Sequence, residues 1–137
     1  MPDSDHKIVL MADDDPDDCM LAAEALTESG ANAAFSCVRD WPALIDYLSE
    51  HSRSETKRLP DLILLDLNMP GKDGRKALIE IKSEPTLRHI PIAILTTSEE
   101  QEDIDLTLKA GAESFITKPV TFDEWVRIMK SLAAQWF

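Results

Sequence analysis

Four consecutive apolar residues, Leu62, Ile63, Leu64 and Leu65, run straight into Asp66. An unbroken apolar run this short, with Pro60 before it and turn residues after it, reads as a strand over 61–66 buried on both faces. Such strands occur in parallel sheets with helices on both sides, so this one segment already restricts the fold class. Asp66 breaks the apolar rule. A carboxylate at the carboxyl end of a buried strand is costly to desolvate, yet it stands where open α/β sheets bind their ligands.

The rest of the chain repeats the same unit. Residues 7–12 form a short apolar strand ending in Asp13-Asp14-Asp15-Pro16-Asp17-Asp18. Asp15 suits an N-cap and Pro16 the first helical position, so the spacing predicts a helix over 16–29, closed by Gly30. A second strand over 33–38 precedes a helix capped by Asp40, and residues 51–60 read as a surface loop. After the Asp66 strand, Asp73 caps a third helix whose Ala77, Leu78 and Ile81 share a face, and Pro85 marks its end. A fourth strand over 91–96 ends at Thr96. Ser98 and Gln101 match a capping box for a fourth helix, in which Ile104 and Leu108 share a face and Leu106 lies off it. A fifth strand over 114–117 leads to Lys118-Pro119. Thr121 and Glu124 then open a helix with an apolar stripe through Trp125, Ile128, Met129, Leu132 and Trp136. Strand and helix alternate five times, which predicts a parallel sheet covered on both faces, with right-handed crossovers.

Composition excludes several classes of function. A length of 137 residues supports one domain, and we expect a single domain over 1–137 with no output domain after it. The net charge of −12 leaves no basic footprint for nucleic acid. No apolar run reaches the roughly 20 residues of a membrane span, and no signal peptide is visible, so the expected location is the cytoplasm. In that compartment Cys19 and Cys37, far apart in sequence, are expected to be reduced and structural.

For a sheet ordered 2-1-3-4-5 the ligand crevice lies between the first and third strands. Asp13 and Asp14 end the first strand, Asp66 the third, Thr96 the fourth and Lys118 the fifth. Three carboxylates so placed repel, by about 4 kcal/mol per pair at 4 Å and an effective dielectric of 20. Lys118 offsets part of this. A divalent cation offsets more, and an all-oxygen donor set with water and phosphate completing the shell suits Mg²⁺, with Mn²⁺ as the alternative. No His or Cys stands in these turns, which disfavours zinc. With a phosphoryl donor present, Asp66 can act as in-line nucleophile and form an acyl phosphate. Asp13 and Asp14 then hold the metal together with Asp66 and a main-chain carbonyl at Asn68, while Thr96 and Lys118 contact the phosphoryl oxygens. Asp15, Asp17 and Asp18 read as helix N-terminal charges and nothing more.

On these residues the chain resembles the receiver domains of two-component response regulators, similar to the single-domain chemotaxis type. The motifs are Asp13-Asp14, Asp66 in LLDLNMPGKDG, Thr96 in ILTTS and Lys118-Pro119 in FITKP. A looser similarity, in the loop before the third strand, the TTS triplet and the terminal Trp136-Phe137, is to receivers paired with phytochrome-type kinases. The resemblance implies a flavodoxin-like fold and Mg²⁺-dependent phosphotransfer from a sensor histidine kinase, or a phosphotransfer protein, to Asp66. It also implies a switch through Thr96 and Phe115, tuning of phosphoaspartate hydrolysis by Asn68 and Ser98, and a cis bond before Pro119. Such a domain is a phosphoacceptor with self-catalysed phosphotransfer and autodephosphorylation rather than an enzyme acting on other substrates. It would signal to a downstream protein of unknown identity, without contacting nucleic acid or membrane. The apolar residues of the fourth helix, fifth strand and fifth helix leave a homodimer and a monomer evenly weighed. Two departures stand out: Phe115 where the family often has Tyr, and Thr97 where many members have Ala.

Two other classes fit less well. A phosphatase with an aspartyl nucleophile would use Asp13 and Asp15 after the first strand. A binding module independent of phosphorylation would not need the full acid, Thr and Lys set.

Overall fold

In the computed structural model, which describes residues 6–69 and 73–137, five strands alternate with five helices. They are β1 (Lys7–Ala12), α1 (Pro16–Glu28), β2 (Ala33–Val38), α2 (Trp41–Arg53), β3 (Leu62–Leu65), α3 (Gly74–Ser83), β4 (Ile92–Thr96), α4 (Gln101–Lys109), β5 (Ser114–Thr117) and α5 (Phe122–Trp136). The strands form one parallel sheet in the order β2-β1-β3-β4-β5, as the alternating pattern predicts. The expected role of Pro70 and Gly71 in shaping the turn after β3 lies outside the described residues.

Strand alternation builds two cores. Leu10, Ala12, Ile63, Leu65, Ile92 and Ile94 point to one face and pack with Leu44 and Leu48 of α2 and Leu78 and Ile81 of α3. Their neighbours Val9, Met11, Leu62, Leu64, Ala93 and Leu95 point to the other, against Ala22, Ala25 and Leu26 of α1 and Trp125, Met129 and Leu132 of α5. Between their ends the central strands β1, β3 and β4 are therefore apolar on both faces, so the polar residues at their carboxyl ends stand out.

Most helix starts follow the sequence. The Asp15 carboxylate accepts from the Asp17 N–H with Pro16 at the start of α1, Asp40 accepts from the Ala43 N–H, and Thr121 accepts from the Glu124 N–H. Gly30 follows α1 in the left-handed region, at φ 81°, which glycine reaches without steric cost. Gly74 matters for a different reason. A Cβ there would lie 2.5 Å from Leu67 Cα and 2.6 Å from the Asp66 carbonyl oxygen. The bare backbone lets α3 begin directly against the segment that carries Asp66.

Several expectations are corrected. Residues 51–53 belong to α2 rather than to the following loop. No side chain caps α4, whose N-cap is Glu100; the Ser98 hydroxyl accepts from the Glu100 N–H, ahead of the helix, and donates to Asp103. The buried residues of α4 are Asp103 and Thr107, while Leu106 and Leu108 are exposed. Cys19 and Cys37 are joined in a disulfide, with Cα atoms 6.3 Å apart. Parallel pairing sets Cys37 opposite Met11 on β1, and the first turn of α1 returns over the same strand ends, closing the sequence gap. The Lys118–Pro119 bond is trans, as are all peptide bonds among the described residues; trans is the lower-energy form of an X–Pro bond.

Candidate functional site

The backbone ladder fixes the strand ends side by side. The Asp13 N–H donates to the Val38 carbonyl, the Asp66 N–H to the Ala12 carbonyl and the Lys118 N–H to the Thr96 carbonyl. Asp13, Asp66, Thr96 and Lys118 thus meet at the carboxyl edge of the sheet, around the β1/β3 crossover. Asp13 and Thr96 are fully buried and Asp66 is 4% exposed. Asp14, next to them, faces solvent.

Lys118 is the hub of this group. Its Nζ lies 2.7 Å from Asp18 Oδ2, 2.8 Å from Asp13 Oδ2 and 3.1 Å from Asp66 Oδ2. The contacts to Asp18 and Asp66 are hydrogen bonds. The approach to Asp13 is an ion pair, in which Asp13 Oδ2 has no partner besides this shared ammonium. Its other oxygen, Oδ1, accepts from the Asp15 N–H at 2.9 Å. Asp66 Oδ1 accepts from the Asn68 N–H at 3.2 Å. Thr96 Oγ1, buried above the same edge, has no hydrogen-bond partner.

These contacts set the charge states. Burial, with a smaller contribution from the Asp66 charge, pushes the Asp13 carboxyl up to about 6 against the pull of Lys118 and the Asp15 N–H. Burial also works against the Lys118 ammonium, but Asp13, Asp18 and Asp66 outweigh it and hold its pKa above the ordinary value. One carboxylate oxygen each from Asp13, Asp14 and Asp66 lies within 4.8 Å of the others. This is an oxygen-only donor set for a hard divalent cation, and its three carboxylates are offset by the one Lys118 ammonium, which they share with Asp18.

The structure therefore brings together Asp13, Asp14, Asp66, Thr96 and Lys118. Asn68 stands at the rim, and Phe115 is half-buried against the core on the α3 side. Ser98 lines an adjacent open cleft of about 380 Å³ with Asn68, Arg75 and Asp103, but its hydroxyl is 2.6 Å from Asp103 Oδ2. Asp15 accepts from the Asp17 N–H, so the second acid of the phosphatase alternative is engaged in capping.

Sequence reasoning missed Asp18, which it assigned to the helix dipole. A signal was present: side chains in the first turn of a helix lean back toward its N-terminus, here over the strand ends. It also missed Arg75 and Asp103. Arg75 Nε and Nη2 donate to the two oxygens of buried Asp103 at 2.6 and 2.7 Å, tying the start of α3 to α4. No helix among the described residues is long and apolar enough to cross a membrane.

Comparison with known proteins places this geometry. The response regulator receiver domain profile matches residues 9–130. Response regulator Rcp1 of Synechocystis sp. is 32% identical over 130 residues, covering 95% of this chain and 88% of that protein. The crystal structure of the phosphorylated cyanobacterial phytochrome response regulator RcpA superposes with a TM-score of 0.84 at 38% identity, covering 96% of this chain and 94% of that one. The Mn²⁺-bound form of Rcp1 superposes with a TM-score of 0.82 at 32% identity, covering 95% and 94%. With the sheet order and the acid cluster already in place, the chain belongs to the response regulator receiver domain family of two-component systems.

Proposed function

We propose that this protein is a phosphoacceptor switch in which Asp66 takes a phosphoryl group from the phosphohistidine of a sensor histidine kinase or phosphotransfer protein. The observation that carries this reading is the acid cluster itself: one oxygen each of Asp13, Asp14 and Asp66 lies within 4.8 Å of the others, with the single Lys118 ammonium against two of the three acids. Three carboxylates facing one ammonium keep a net negative charge, which suits a divalent cation and, with it, a phosphoryl group.

One Asp66 oxygen attacks phosphorus in line. The O–P bond forms as the P–N bond to histidine breaks, and the histidine leaves as the neutral ring once it has gained a proton. The Lys118 ammonium turns a donor to the transferred oxygens, and the Thr96 hydroxyl donates the hydrogen bond it lacks. Asp13, Asp14, Asp66 and the Asn68 carbonyl would hold Mg²⁺, or Mn²⁺ as in the Mn²⁺-bound relative Rcp1. The cation supplies charge neutralisation for the phosphoryl oxygens. Movement of Thr96 toward the phosphoryl group opens space for Phe115 to follow, which biases the face made by α4, β5 and α5. Exposed Leu106, Leu108, Val120 and Phe122 on or beside that face suit a downstream protein or a second copy. The similarity to phytochrome response regulators favours a phytochrome-type kinase as donor. Asn68 and Ser98, at the rim, tune hydrolysis of the acyl phosphate.

Intact-mass measurement after incubation with phosphoramidate and Mg²⁺ tests the reading. A gain of about 80 Da, the mass of one phosphoryl group, is expected. The gain should be absent without Mg²⁺ and absent in Asp66→Asn. An adduct that persists in Asp66→Asn would overturn the assignment.

A further inference from the structure

Lys118 has three N–H donors and three carboxylates within reach. Two of them, Asp13 and Asp66, are also members of the oxygen cluster that suits a cation. The third, Asp18, is not. A cation bound between Asp13, Asp14 and Asp66 draws on oxygens that Lys118 faces, and its own charge repels the ammonium. Asp18 is the one acid of the three that the cation leaves to Lys118.

The first turn of α1 gives Asp18 no other evident task. Asp15 provides the cap and Asp17 the exposed charge toward the dipole. Asp18 is half-buried instead, with its side chain 21% exposed and one oxygen directed at a lysine 100 residues away. We infer that Asp18 is a positioning residue for Lys118: it gives the ammonium a carboxylate to keep when a cation takes up Asp13 and Asp66, and so raises cation affinity without touching the cation. This rests on the cation reading of the pocket given above.

Calorimetric titration of the full chain with Mg²⁺ tests it on five variants, Lys118→Ala among them. Asp18→Asn should weaken Mg²⁺ binding about tenfold, the equivalent of one charge-assisted hydrogen bond. Asp17→Asn removes the same charge from the same turn at an exposed position, and should stay within about twofold because solvent and salt screen it. Asp18→Glu, which keeps the charge, should recover part of the loss. The deciding variant is the double mutant. If Asp18 acts through Lys118, the Asp18→Asn effect should largely vanish in a Lys118→Ala background. An undiminished effect in that background overturns the inference, as does equal weakening by Asp18→Asn and Asp17→Asn; both leave the cation site standing. Failure of the unmodified chain to bind Mg²⁺ overturns the pocket reading and the inference together.

Discussion

Asp13 and Asp103 are the same residue type in similar burial, at 0% and 6% exposure, and the protein treats them in opposite ways. Asp103 is fully answered. Arg75 grips both its oxygens, Ser98 donates to one of them, and these partners hold its pKa below the ordinary carboxylate range against the cost of burial. Asp13 Oδ2 faces an ammonium that it shares with Asp18 and Asp66, and burial drives its pKa up to about 6. The acid with its own bidentate partner joins α3 to α4 as part of the framework. The acid that shares its partner is a place where a cation can bind. The difference between structure and site lies in the partners supplied, not in the residue or its depth.

Breaking the satisfied cluster should have the largest effect on stability. Arg75→Ala leaves Asp103 buried without its cation and should cost about 3 kcal/mol, toward the low end for a broken buried pair because part of the Arg75 side chain meets water. Urea denaturation measures it. A loss below about 1 kcal/mol would place this pair with ordinary surface ion pairs and dissolve the contrast. Gly74→Ala comes next. Its Cβ cannot fit 2.5 Å from Leu67 Cα, so about 2 kcal/mol of overpacking is expected. The same shift should displace the segment bearing Asp66 and weaken Mg²⁺ binding. Thermal stability falling while Mg²⁺ affinity holds would separate α3 docking from the pocket.

A smaller effect of opposite sign is expected at Asp13. The folded protein protonates Asp13 at about pH 6, whereas an unfolded chain does so near 3.9. Between these values the folded state binds the extra proton, so this stabilisation is full below about pH 4 and is lost as pH rises through about 6. Asp13→Asn mimics the neutral form. Without metal it should be more stable than the unmodified protein at pH 7.5, by roughly 1 to 2 kcal/mol, and no more stable at pH 4. Denaturation at the two pH values checks this, and a destabilised Asp13→Asn at pH 7.5 would mean that Lys118 fully compensates Asp13.

How far the sequence disclosed these two regions follows from the same contrast. The strands were legible because apolar runs of four to six residues have few other uses, and the strand-end residues Asp13, Asp66, Thr96 and Lys118 were legible because the topology alone brings them together. Nothing local announces the Asp103 cluster. Its partner Arg75 is 28 residues away, and Asp103 sits among acids that read as a solvated helix start. Apolar periodicity then misassigned α4, since it favoured Ile104 and Leu108 over a buried face made of Asp103 and Thr107. Asp18 failed for the same reason at shorter range, as its role depends on how a first-turn side chain leans across to β5 and Lys118. The Cys19–Cys37 pairing likewise depends on strand register and helix return, which spacing along the chain does not encode.

The central claim is that the acids clustered around one shared ammonium, and not the buried acids in general, form the cation and phosphoryl site. Thermal unfolding of the unmodified protein, Asp13→Asn and Asp103→Asn, each with and without millimolar Mg²⁺, tests it directly, because a ligand that binds only the folded state raises Tm. The unmodified protein and Asp103→Asn should both gain in Tm with Mg²⁺, and Asp13→Asn should gain little. An Mg²⁺ shift in Asp13→Asn equal to that of the unmodified protein would contradict the account.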